Sequence, residues 1–267
     1  MCCGVRTMDK EAITLAYLSD KLAEAQRENR ITYSKFLDMQ TRSLAQARLA
    51  HVPGARALFY GGYPEAERCL CVFVPVCYAI DSAEALAAYY EEREDISPML
   101  VLRVKKDNFT ALSHRDYLGA ALGLGVERDM VGDILVREDG CDILLLREVA
   151  NYLAENLRQA GRATLNTEIL PIAQLHMAAK STMEKQVTVP SLRLDCVLAE
   201  AFALSRAAAA EQILAGNTYV NDRQIKKADR RLEPGDKLVL RKKGRVRLKS
   251  LVGQTKKGKQ KLLLEIF

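Results

Sequence analysis

The period of the hydrophobic positions changes several times along the chain, and each change marks an element. Leu15, Leu18, Leu22 and Ala25 recur at helical spacing in a polar stretch ending near Asn29. A second helical stretch is expected from Tyr33 to Leu49. Two apolar β-like runs follow, Ala57 to Tyr60 and Cys69 to Val76, separated by the turn chemistry of Gly61-Gly62-Tyr63-Pro64. Ser82 is placed to cap a helix containing Leu86, Tyr89 and Tyr90. Together these predict a small α/β domain over residues 8–95.

From 96 to 179 the order is clearer. Met99 to Val104 reads as a strand. Ser113-His114-Arg115-Asp116 is a capping-box-like start for a helix through Leu122, closed by Gly123 and Gly125. Ile134 to Val136 and Ile143 to Leu146 are strands joined by a turn at Glu138-Asp139-Gly140. Val149 to Gln159 is an amphipathic helix expected to end at Gly161, and Thr164 to Leu170 is a last strand. This β-α-β-β-α-β order is the split βαβ pattern of ferredoxin-like and RNA-recognition folds. The pattern hosts many functions, and neither central strand carries the aromatics on which RNA-recognition motifs stack bases.

Lys180 to Val189 reads as a polar linker ending at Pro190, and a third domain is expected over 181–267. Ser191 is expected to cap a short helix whose stripe is Leu194, Val197, Leu198 and Ala201. Asp195 falls in its first turn, where the helix dipole favours a carboxylate. Ser205 caps a second helix, with Ala207, Ala210, Ile213 and Leu214 facing inward and Gly216 ending it. So short a connection makes the two helices cross sharply. Tyr219 and Val220 then lead into a turn at Asn221-Asp222, and Pro234-Gly235-Asp236 delivers a strand from Lys237 to Arg241.

Charge sharpens the picture of this last third. The net charge of +6 is unevenly spread: residues 181–267 carry 19 Lys and Arg against 9 Asp and Glu, or +10, whereas 1–180 carry 21 against 25, or −4. A basic third on a mildly acidic body points to a polyanionic partner. Arg241, Lys243, Arg245, Arg247 and Lys249 are basic at every second position, which a strand would set on one face about 6.6 Å apart, with Gly244 able to interrupt the row. Lys256-Lys257-Gly258-Lys259 makes a basic loop before an apolar strand from Leu262 to Phe267.

Other chemistry is thin. Seven cysteines without C-x-x-C spacing and three scattered histidines (His51, His114, His176) assemble no zinc-type ligand set. Reduced thiols, mostly packed as small hydrophobes, are expected instead, with no metal and no cofactor. The longest apolar run, Cys69 to Ile80, is too short to span a bilayer, and no secretory signal is read at the start. We therefore expect a cytoplasmic protein with no membrane partner, translated from Met1 or from Met8. Asn108-Phe109-Thr110, although a glycosylation acceptor by pattern, is discounted.

Several motifs of the last third occur together in order. Arg193-Leu194-Asp195-x-x-Leu198, Ser205-Arg206, Ile213-Leu214-x-Gly216, Val220-Asn221 and Pro234-Gly235-Asp236 resemble the RNA-binding domain named after small-subunit ribosomal protein four. Thr218 and Asn217 depart from that pattern, which usually has valine and a basic residue there. The resemblance extends to the whole chain. Gly61-Gly62-Tyr63-Pro64-Glu65-Ala66-Glu67-Arg68, Leu112-Ser113-His114-Arg115-Asp116-Tyr117-Leu118-Gly119-Ala120, Gly132-Asp133-Ile134 and the tail from Gly244-Arg245 to Gly258-Lys259 resemble the YlmH family of bacterial RNA-binding proteins. The resemblance implies a factor that binds RNA through its C-terminal domain and associates with the large ribosomal subunit and peptidyl-tRNA in rescue of stalled translation. Members were earlier linked to cell division.

The expected fold class is thus α+β: an N-terminal α/β domain, a ferredoxin-like middle domain resembling an RNA-recognition motif, and a C-terminal domain of the ribosomal-protein-four type with a basic β tail. The RNA-contacting candidates are Arg193, Ser205, Arg206, Gln212, Lys226, Lys227, Arg230, Arg241, Lys243, Arg245, Arg247, Lys249, Lys256 and Lys257. The resemblance implies rRNA, peptidyl-tRNA and the large subunit as partners, with no DNA expected. The alternative is an RNA-modifying enzyme using the N-terminal domains for catalysis. Against it, Gly119, Gly123 and Gly125 lie in and after a helix rather than at a strand-to-helix cofactor turn. Consecutive helical residues such as His114, Arg115 and Asp116 point apart. Glu65, Glu67 and Arg68 read as a turn with solvated charges. A binder is expected, with no catalytic residues.

Overall fold

The computed structural model describes residues 3–50, 52–107, 111–177 and 183–267, with side chains from residue 12 onward. The Asn108-Phe109-Thr110 pattern, the start at Met1-Cys2 and the first residues of the expected linker lie outside these. The chain forms two compact units, Met1–Ala178 and Ala179–Phe267. No helix among the described residues is long and apolar enough to cross a membrane.

The first unit opens with α1 (Cys3–Glu28), stopped by Asn29 at φ 48°, β1 (Thr32–Tyr33) and α2 (Met39–Arg48). Asp38 caps α2 by accepting from the Thr41 N–H at 2.8 Å. The helix expected from Tyr33 therefore begins only at Met39. Thr32 and Tyr33 instead pair with β3 (Leu70–Pro75), the centre of a sheet ordered β1-β3-β2, where β2 is Ala55–Tyr60. Successive strand residues face opposite ways. Cys71 and Phe73 pack in the core with Leu18, Ala25 and Ala45 of α1 and α2, while Leu70, Val72 and Val74 pack in another with Leu86 and Tyr90 of α3 (Ala83–Glu91).

The elements that follow are β4 (Met99–Lys106), α4 (His114–Gly123), β5 (Val131–Val136), β6 (Gly140–Leu146), α5 (Arg147–Asn156), β7 (Gln159–Ala160) and β8 (Ala163–Leu170). Their sheet runs β5-β6-β4-β8-β7 and is antiparallel throughout, the strand order of the expected split βαβ pattern. Helix α5 stops at Asn156, short of the expected Gln159, because Gln159 and Ala160 turn back against β8 around Gly161. Both faces of this sheet are covered. Leu102, Val104, Ile143 and Leu145 pack with Tyr117, Ala121 and Leu153 of α4 and α5. On the other side Met99, Val101, Leu144, Leu146 and Leu170 share a core with Phe36, Tyr60, Leu70 and Val72. The face on which an RNA-recognition motif stacks bases is here closed by the N-terminal segment, which explains apolar rather than aromatic residues on the central strands.

The same packing accounts for two motifs. Asp133, pushed above the usual carboxylate range by burial, accepts from the Tyr63 hydroxyl at 2.7 Å and from the Glu67 and Arg68 N–H groups at 2.7 and 3.2 Å. Arg68 donates to the carbonyls of Val131 (3.1 Å) and Phe36 (2.9 Å). The Gly61–Arg68 loop is thus tied down on Asp133 rather than being a turn of solvated charges. At Gly132 an added Cβ would lie 2.7 Å from the Phe36 ring.

The second unit contains β9 (Met183–Val189), α6 (Leu194–Ala201), α7 (Arg206–Leu214), β10 (Thr218–Val220), β11 (Arg223–Gln224), β12 (Lys237–Leu240), β13 (Gly244–Gln254) and β14 (Gln260–Ile266). Its sheet is ordered β11-β10-β12-β13-β14-β9. Residues 183–189, expected as linker, are an edge strand paired with β14 along its length, Val187 and Val189 facing the core. Leu194, Val197, Leu198 and Ala201 are buried as expected, whereas α7 buries Ala209 and Ile213 and leaves Leu214 exposed at 67 %.

Candidate nucleic-acid interface

The interface begins where α6 and α7 start. Ser191 does not cap α6: the residue preceding the helix is Arg193, without a side-chain cap, and the Leu194 and Asp195 N–H groups donate to the carbonyls of Arg230 (2.8 Å) and Ala228 (3.1 Å). The helix is thereby fastened to the segment carrying Lys226, Lys227 and Arg230. Ser205 caps α7, accepting from the Ala208 N–H at 3.1 Å, and so sets Arg206 at the first helical position.

Between the two helix starts lies a buried carboxylate. Asp195 accepts from Arg193 Nε (3.1 Å) and Arg206 Nε (2.8 Å), and its Oδ1 also takes the Cys196 N–H at 3.0 Å. Burial opposes ionisation of Asp195, but the two guanidinium groups outweigh it and hold its carboxyl below the usual range. The arginine side chains are 43 % and 57 % exposed, so Asp195 fixes two neighbouring cations while leaving much of each to solvent. Held guanidinium groups of this kind suit phosphate, whose oxygens take parallel N–H donors. The sequence flagged both arginines. It read Asp195 only as a dipole partner, because the contact to Arg206 spans eleven positions and depends on how the helices cross.

The other candidates divide by what they touch. The Lys226 and Lys227 side chains are exposed and make no hydrogen bond or ion pair with any described residue, and the Lys226 stem lies against Gly216. Arg230 is half-buried and contributes its carbonyl to α6. Gln212 is occupied within the fold, its side-chain carbonyl accepting from Asn217 Nδ2 at 2.9 Å. The basic row is shorter than its spacing suggests: Arg241 and Lys243 lie in the β12–β13 turn, where Lys242 has φ 66°, and only Arg245, Arg247 and Lys249 share a strand. Within that row Arg247 pairs with Glu265 at 3.3 Å and lies 5.2 Å over the Phe267 ring, and Lys249 pairs with Glu184. Lys256 and Lys257 are exposed in the β13–β14 turn.

Two packed helices beside a six-stranded sheet, carrying a fixed arginine pair, suit the class of module that binds structured RNA by shape and phosphate charge. In agreement, residues 192–238 match the S4 domain family, and residues 92–174 match the family described as a putative RNA-binding domain in YlmH. The chain therefore carries the RNA-binding domain described in YlmH followed by an S4 domain. It is 29% identical over 241 residues to the ribosome-associated protein quality control protein P2 of Bacillus subtilis (strain 168), a match covering 90% of this chain and 89% of the relative. Among solved structures, the cell division protein ylmH from Streptococcus pneumoniae superposes with a TM-score of 0.45 at 17% identity, over 66% of this chain and 96% of that one.

Proposed function

We propose that this protein acts on the ribosome by binding, not by catalysis: its S4 domain grips structured rRNA of the large subunit, with peptidyl-tRNA as a further RNA partner, in the rescue of stalled translation in the cytoplasm. The observation that carries this reading is the pair of guanidinium groups held by Asp195 at the starts of α6 and α7, within a third of the chain whose net charge is +10. The name of the Bacillus subtilis relative supplies the ribosomal and quality-control setting. The polar clusters of the first unit have structural duties. Asp116 is engaged by the Ser113 N–H and hydroxyl, and Arg68 and Asp133 join loop to sheet.

The test is a salt titration of full-length protein binding to isolated large subunits. Each phosphate neutralised by Lys or Arg contributes roughly −0.7 to −0.9 to the slope of log affinity against log salt, so about six contacts give a slope near −5. Replacing Arg193, Arg206 and Lys226 together with Ala should flatten it by about 2 to 3. A slope unchanged in a folded triple variant would refute the assignment of these residues.

A further inference from the structure

The second unit contains a groove of about 510 Å³ that the S4 helices do not account for. It is lined by Pro190, Leu192 and Arg193 from the segment entering α6, by Arg231, and by Leu251, Gln254 and Gln260 of the β13–β14 hairpin. We propose that this groove takes a single unpaired ribonucleotide, its phosphate on Arg231 and Arg193 and its base against Leu251, with the base edge read by the amides of Gln254 and Gln260. The inference rests on the RNA-binding reading above and adds to it a preference for RNA with a nucleotide outside the helix.

Three observations point this way. Arg193 and Arg231 are antiparallel bridge partners, which puts two like charges directly opposite each other, an arrangement that is destabilising unless an anion sits between or beside them. Asp195 engages Arg193, but Arg231 is exposed and makes no hydrogen bond or ion pair with a described residue. Asp229 also lines the groove, and with Asp195 on Arg193 this leaves Arg231 as the groove's guanidinium without a partner among the described residues.

Second, Gln254 and Gln260 are cross-strand partners, so their carboxamides leave the same face of the hairpin side by side. A carboxamide offers a donor and an acceptor at once and matches the paired donor and acceptor on a base edge, adenine above all. Third, Leu251 is 44 % exposed and lines the groove together with Pro190 and Leu192, giving an apolar surface for the face of a base. Bases within an A-form helix are closed to side chains from the deep groove, whereas unpaired ones can be splayed into a site. The volume lies within the ordinary range for small-ligand pockets.

The experiment uses the full-length protein and two fluorescein-labelled RNA hairpins with the same stem, one carrying a single bulged adenosine, compared by anisotropy at fixed salt. Wild type should bind the bulged hairpin about tenfold more tightly, the discrimination one good bidentate contact supplies. Gln254→Ala with Gln260→Ala should bring that preference below about twofold while leaving affinity for the plain hairpin unchanged. Arg231→Ala, a change at an exposed side chain, should also erode the preference, and melting curves confirm that each variant is folded. Equal binding of both hairpins by wild type, or a preference retained in both variants, overturns the groove assignment and leaves the RNA-binding reading standing. Failure of wild type to bind either hairpin overturns both.

Discussion

Asp195→Asn separates positioning from charge. The substitution keeps the size of the side chain and removes the negative charge that Arg193 and Arg206 share. Asp195 is 4 % exposed and also accepts the Cys196 N–H, so the change weakens a charge-assisted set around a buried group. Such bonds are worth about 1.5–3 kcal/mol each in favourable settings. The arginines can rehydrate, so a loss of about 2 kcal/mol for the whole substitution is expected. In a unit of this size that corresponds to a melting point lower by about 8–16 °C.

The binding result discriminates more sharply. The variant carries one more net positive charge, so attraction to RNA by charge alone predicts tighter binding. If Asp195 acts by aiming the two guanidinium groups, affinity falls instead, by about three- to tenfold, the cost of about 1 kcal/mol in lost orientation. Anisotropy with a labelled ribosomal RNA fragment, at a temperature where circular dichroism shows the variant folded, reads this directly. Tighter or unchanged binding by folded Asp195→Asn would refute the positioning role.

Other outcomes follow from the first unit. Gly132→Ala places a Cβ 2.7 Å from the Phe36 ring, and the overpacking should cost about 1–3 kcal/mol in urea titrations, with RNA affinity unchanged once the protein is folded. Asp142 is fully buried, and although burial raises its carboxyl, hydrogen bonds from Arg103 and the His176 N–H and the ion pair with Arg137 bring it below the usual range. With the folded value depressed, its contribution to stability is complete above the unfolded value near ~3.9 and is lost as pH falls through the lowered folded one. Asp142→Asn should therefore lower stability at neutral pH and flatten the loss that wild type shows as pH falls below the unfolded carboxylate value. Phe73→Ala, which empties a fully buried site between α1 and β3, should cost about 3–5 kcal/mol.

Much of the architecture was legible because its signals are local. The capping box at Ser113 and Asp116, the Asn221-Asp222 turn with both residues at positive φ, and the stripe of α6 all stand where their residue types require. Where the reading failed, the information was elsewhere. Four successive alanines, Ala207 to Ala210, carry no phase, so the buried register of α7 depends on what crosses it. Residues 183–189 are an edge strand whose charges and single buried stripe look like a linker until β14 is placed beside them. Nothing near Ser191 in sequence shows that carbonyls from 228 and 230 satisfy the start of α6. Of the candidate interface, the basic positions could be chosen from spacing and motif. The carboxylates that engage Arg193, Arg206, Arg247 and Lys249 could not, being set by tertiary contact.

The most direct test of the central claim is sedimentation of full-length protein with ribosomes through a sucrose gradient at low and high salt. We expect the wild-type chain to travel with the large subunit at low salt and to be released as salt rises, and the Arg193→Ala, Arg206→Ala, Lys226→Ala variant to stay near the top while remaining folded. Wild type staying at the top at low salt, or the folded variant migrating as wild type does, would contradict RNA binding through the S4 domain.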